Sequence, residues 1–93
     1  MDFHRMKVKR KKRKLIFDEN GLRAFAEHLK SVRAERGFTQ EKLAYESGLT
    51  LSQIARIETA TINPTLSTVF KMARTMKVPL SELFDFRLPK EKE

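Results

Sequence analysis

The sequence predicts an all-α protein, a compact five-helix bundle with a flexible basic arm at its N-terminus. Three observations carry that prediction. Apolar side chains recur at helical spacing through residues 22–84. Residues that end or begin helices, Gly37, Gly48, Pro64 and Pro79, stand between those stretches. Ahead of them, Lys7-Val8-Lys9-Arg10-Lys11-Lys12-Arg13-Lys14 repels itself and offers one apolar side chain, so it cannot order by burial.

In the first helix, Leu22, Phe25, Ala26, Leu29 and Val32 share one face. Asp18 or Asn20 can cap its start, and Gly37 offers a left-handed stop. Thr39 is a ready N-cap for a second helix, with Glu41 in the first turn and Leu43 and Ala44 facing inward. Ser47-Gly48 ends it, because glycine permits a sharp exit. Thr50 caps a third helix, whose Ile54 and Ile57 mark the buried side. Ala60-Thr61-Ile62-Asn63-Pro64 reads as a loop, since the residue before proline disfavours helix. A fourth helix follows Thr65, with Leu66, Val69, Phe70, Ala73 and Met76 as its apolar set. Pro79 opens a short fifth helix with Leu80, Leu83 and Phe84 inward. Phe84, Phe86 and Leu88 then alternate with Asp85 and Arg87, as a short strand or an extended tail would. The expected division is an arm over 1–19, a helical domain over 20–86 and a tail over 87–93.

Ninety-three residues allow one domain. The absence of cysteine excludes disulfides, thiolate metal sites and cysteine nucleophiles. Twenty Lys+Arg against twelve Asp+Glu leave a net charge of +8 and a pI near 10.1. Residues 1–20 hold eight basic and three acidic side chains, which places +5 of that excess at the N-terminus. A small chain this basic suits a polyanion, either nucleic acid or an acidic membrane surface. No apolar run is long enough to span a bilayer and no secretory signal is visible, so a cytoplasmic protein without a membrane is expected. The basic block reads as a mobile arm or as a solubilising tail, and Leu15-Ile16-Phe17 is a short apolar patch that could dock on the body.

Function concentrates in residues 39–58. Small Ala44 lets helices two and three approach, Gly48 makes the turn, and Leu43, Leu49, Ile54 and Ile57 lock the pair to the core. Leu51, Ser52, Ala55 and Arg56 then face solvent on the outer side of helix three. A helix presented in this way fits the major groove of DNA.

Several blocks carry a resemblance in order and spacing. They are Leu29-Lys30-Ser31-Val32-Arg33, Gly37-Phe38-Thr39-Gln40-Glu41-Lys42-Leu43-Ala44, Ser47-Gly48-Leu49-Thr50, Ile54-Ala55-Arg56-Ile57-Glu58, Asn63-Pro64-Thr65-Leu66 and Val78-Pro79-Leu80-Ser81-Glu82-Leu83-Phe84. Over about two-thirds of its length the chain resembles the phage repressor/Cro-like helix-turn-helix family, also called the XRE family. The resemblance implies a lambda-repressor-like five-helix DNA-binding domain, a homodimer on a palindromic operator and a role in transcription regulation. It also implies that Arg33 and Glu58 pair across the core as a structural feature. Family loops before helix four are often rich in glycine and lysine, whereas Thr59-Ala60-Thr61-Ile62-Asn63 carries no cation.

The expected DNA-binding set is Gln40, Thr50, Leu51, Ser52, Gln53, Arg56, Thr61 and Asn63. Gln40, in the first turn of helix two, can donate to a phosphate beside the positive end of the helix, a role that the matching family positions imply. The Thr50 hydroxyl can cap its own helix or reach a phosphate, and capping is the simpler role. Arg56 suits bidentate readout of a guanine, Ser52 can pair with several bases, and Leu51 can touch a thymine methyl. Gln53 can reach phosphate or adenine.

No enzyme signature is present: there is no Ser-His-Asp arrangement, P-loop or glycine-rich fingerprint. His4 and His28 have no ligand pattern around them, so neither metal nor cofactor is expected. Met72 and Met76 read as core filler. The expected partners are double-stranded DNA and a second copy of the chain, with Leu80, Leu83, Phe84 and Phe86 as interface candidates. A second class of function is a protein-interaction module, such as an antitoxin bound to a toxin. A third is non-specific RNA or membrane-surface binding by the arm alone.

Overall fold

Asp18 opens the helical body in the computed structural model, which describes residues 15–91. Its carboxylate accepts from the Gly21 amide at 2.9 Å and so caps α1 (Glu19–Glu35). Thr39 caps α2 (Gln40–Ser47), accepting from the Lys42 amide at 2.9 Å. Thr50 caps α3 (Leu51–Glu58), and Thr65 caps α4 (Leu66–Met76) in the same way. A last short helix, α5 (Leu80–Leu83), follows Pro79. Gly37 and Gly48 both take φ 77°, a left-handed conformation that costs glycine little, and these two exits turn the chain after α1 and α2.

Every helix contributes to one core. Leu29 of α1, Leu43 of α2, Ile54 and Ile57 of α3, Met72 of α4 and Leu83 of α5 are all fully buried. Each such side chain stabilises the fold by about 1.5–3 kcal/mol relative to exposure. Met76 also lies in this core, so both methionines of α4 act as packing residues.

Polar contacts tie α5 back to α1. The ring Nε2 of His28 hydrogen-bonds the Glu82 carbonyl at 2.7 Å. The Arg36 guanidinium donates to the Glu82 carboxylate at 2.6 Å and to the Lys77 carbonyl at 3.1 Å. After α5 the chain runs as an extended tail, and no strand forms among the described residues. Phe84 stacks on Phe25 at 5.4 Å, Phe86 packs against His28 at 5.6 Å, and Asn20 donates to the Lys90 carbonyl at 3.1 Å. The tail therefore follows α1 back toward its first turn.

Several expectations change. Leu83 cannot serve an intermolecular contact because it is fully buried, and Phe86 is largely absorbed by the body. Leu66 is 65% exposed although its spacing places it on the inner face. It opens α4, and side chains in a first turn lean back past the helix end, here beyond the core. Leu80 and Phe84 are likewise more than 40% exposed, because four-residue α5 buries only Leu83. Leu15 and Ile16 remain exposed and Phe17 is half exposed, so the apolar patch is not docked. The basic block 7–14 and His4 lie outside the described residues.

Candidate nucleic-acid interface

The α2–α3 unit is held by local hydrogen bonds before tertiary packing acts on it. Ser47 is buried at the end of α2; its hydroxyl donates to the Ala44 carbonyl and accepts from the Leu49 amide, both at 3.3 Å. This braces the turn on either side of Gly48. At the start of α3, the Thr50 hydroxyl accepts from the Gln53 amide at 3.0 Å while the Gln53 side-chain oxygen accepts from the Thr50 amide at 2.9 Å. That reciprocal capping box satisfies two amides that the helix itself leaves unpaired.

Glu58 ends α3 inside the protein, with its side chain only 2% exposed. Arg33 grips it with two nitrogens, Nε to Oε2 and Nη2 to Oε1 at 3.0 Å. The remaining guanidinium nitrogen of Arg33 donates to the Phe38 carbonyl at 2.8 Å. Gln40 adds a third contact, its amide donating to Glu58 Oε1 at 2.8 Å. One carboxylate thus joins α1, α2 and α3, and no buried side-chain polar atom lacks a partner among the described residues. The neutralised Glu58 is the only acidic residue of α3, so its outer face presents no carboxylate to a polyanion.

The residues expected to meet DNA fall into three groups. Leu51, Ser52 and Arg56 lie together on the exposed side of α3, opposite buried Ile54 and Ile57. Arg56 forms no ion pair among the described residues, so its full fork of donors is free. Thr50 and Gln53 are exposed beside them but share the capping box. The Thr50 hydroxyl accepts in the box and keeps its own proton for donation. Gln53 accepts one bond on its oxygen within the box, which draws that oxygen back toward the cap and leaves its two amide hydrogens as the donors open to a partner. Half-buried Gln40 likewise spends one amide hydrogen on Glu58 and retains another.

The loop residues Thr61 and Asn63 differ from each other. Both the amide and the hydroxyl of Thr61 donate to the Arg56 carbonyl, at 3.0 and 3.1 Å. Thr59 bonds the Ala55 carbonyl at 3.0 Å, so the loop is stitched to the end of α3. In this arrangement Thr61 fastens the loop and has no donor left for a phosphate. Asn63 is exposed and its side chain bonds nothing among the described residues. Sequence reasoning missed the capping role of Gln53 and the Gln40–Glu58 bond. The Thr50-x-x-Gln53 spacing was the available signal for the first; nothing local marks the second.

A family model described as helix-turn-helix matches residues 29–83, more than half of the chain. The chain belongs to the XRE-type helix-turn-helix family. The match runs from the middle of α1 to the end of α5 and so takes in the whole α2–α3 unit. Among curated relatives of this helix-turn-helix chain, the transcriptional regulator SutR of Escherichia coli K12 is 33% identical over 68% of this chain and 35% of its own length. The E. coli K12 transcriptional regulator PuuR is 38% identical over 60% of this chain and 30% of its own length. The chain therefore spans about a third of these two regulators. Among solved structures, the restriction-modification controller protein C.AhdI from Aeromonas hydrophila superposes with a TM-score of 0.65 at 33% identity. That alignment covers 68% of this chain and 96% of the controller. A second controller, C.Esp1396I, is known as a tetramer in complex with its natural 35 base-pair operator. It is 31% identical, with a TM-score of 0.64 over 69% of this chain and 84% of its own. No helix among the described residues is long and apolar enough to cross a membrane.

Proposed function

We propose that this chain is a cytoplasmic transcriptional regulator, a repressor that binds a palindromic DNA operator as a homodimer with α3 in the major groove. One observation carries the reading: the outer face of α3 offers Leu51, Ser52 and an unpaired Arg56 on a helix whose only carboxylate is sequestered by Arg33. Arg56 reads a guanine, Ser52 takes an adjacent base edge and Leu51 lies against a thymine methyl. Thr50, Gln53, Gln40 and Asn63 donate to the flanking phosphates, which fixes the register of the helix. A single helix reads too few base pairs for selective binding. Two copies place their α3 helices about one DNA turn apart, roughly 34 Å. Exposed Phe84 supplies an apolar contact for the second copy.

Selection of bound duplexes from a randomised pool tests the reading. A two-fold symmetric consensus should emerge, and the selected duplex should outcompete random DNA at both low and high salt. A pool that yields no consensus, with affinity falling equally for all duplexes as salt rises, would overturn it.

A further inference from the structure

Where α4 passes into α5 lies a groove of about 270 Å³, bounded by Phe70, Ala73, Arg74, Lys77, Val78 and Leu80. Its floor is built in: Ala73 and Val78 are buried, and the Val78 amide bonds the Ala73 carbonyl at 3.0 Å to close the link from α4 to α5. Phe70 is half-buried and Leu80 is 43% exposed, so apolar surface continues up the walls. Two cations stand at its edge. Neither Arg74 nor Lys77 meets a carboxylate among the described residues, whereas neighbouring Arg36 is paired with Glu82. Lys77 also holds a left-handed conformation, φ 58°, that glycine would adopt more easily, so a charged side chain stands where the backbone favours none.

This charge pattern selects the occupant. A second copy laid symmetrically over the groove would bring Arg74 and Lys77 against their own counterparts, and like charges at close range repel. An occupant of complementary chemistry combines an apolar body with a negative group. We infer that the α4–α5 groove is a binding site for a small amphipathic carboxylate, its apolar body on Phe70, Ala73, Val78 and Leu80 and its carboxylate between Arg74 and Lys77. Charge-assisted hydrogen bonds to the two cations orient the ligand, and the apolar floor supplies the burial. The inference does not depend on DNA binding, since none of the groove residues belongs to the α3 face.

The test is an NMR titration of the isotopically labelled full chain with sodium octanoate, run in parallel with 1-octanol and octylamine. Octanoate should give saturable amide shifts confined to Phe70, Ala73, Arg74, Lys77, Val78 and Leu80. Octanol should bind about tenfold more weakly, the loss expected when a charge-assisted contact is removed, and octylamine should not bind. Arg74→Gln with Lys77→Gly, its fold confirmed by its own amide spectrum, should lose octanoate binding to a similar degree. Equal binding of octanol and octanoate, shifts scattered over the body, or full binding by the folded double variant would each overturn the inference. Should the double variant not fold, the ratio of octanoate to octanol binding on the unaltered chain decides. Concentration-dependent shifts at Arg74 and Lys77 without any ligand would show a second copy in the groove, which also overturns it.

Discussion

Glu58 stands where three helices meet, and its partners make it more consequential than any exposed charge in the molecule. Removing it leaves the Arg33 guanidinium largely buried without a counter-charge and frees the Gln40 amide. Glu58→Ala should therefore cost about 3–5 kcal/mol, a large part of what holds a domain of this size, and thermal melting should show the drop. Gln40→Ala should cost only about 1 kcal/mol, the worth of one hydrogen bond. The Arg33–Glu58 pair was legible through family resemblance. The Gln40 contact was not, because a residue at a helix start says nothing about a partner eighteen positions away. Ala60 offers the opposite effect. It holds φ 59°, a conformation that costs a residue with a Cβ about 1–2 kcal/mol. Ala60→Gly should relieve that strain, less the extra freedom glycine gives the unfolded chain, for a net gain of about 0.5–1 kcal/mol and a higher melting temperature. At Arg56 the measured quantity is specificity. Arg56→Ala should lose about 1–3 kcal/mol per half-site on the selected operator, at one base pair, and far less on random duplex.

Among the helices, starts and turns were the most legible features. Thr39, Thr50 and Thr65 each cap the helix that follows, and Gly37 and Gly48 each adopt the left-handed exit. These are interactions within three or four residues, so residue type and spacing suffice to find them. The outer ends of apolar stripes were less legible. Leu66 and Leu80 keep the period of their helices yet lie exposed, because periodicity defines a face and not how far the core extends beneath it. The exposed face of α3 followed from Ile54 and Ile57 alone, whereas the engaged oxygen of Gln53 and the engaged donors of Thr61 depend on the folded geometry of the turn and loop. Thr50→Ala tests the element directly. Loss of the cap should lower stability by about 1 kcal/mol. If its hydroxyl proton also reaches a phosphate, DNA affinity should fall on all duplexes by more than the melting change accounts for.

For the whole molecule, charge and chain path matter most. The basic block near the N-terminus holds most of the net +8, and its cations can follow a phosphate backbone without reading bases. Each phosphate that it neutralises should add about 0.9 to the slope of log affinity against log salt. Deleting residues 5–14 should flatten that slope and weaken all duplexes together, while the ratio of operator to random DNA stays constant in parallel titrations. The bond from Asn20 to the Lys90 carbonyl has a separate consequence. It sets the end of the tail beside the first turn of α1, so both ends of the helical body leave from one pole. A circular permutant, with residues 15 and 91 joined by a flexible link and new termini in the exposed loop around Asn63, should therefore regain the same bundle, which its melting curve and amide spectrum would show.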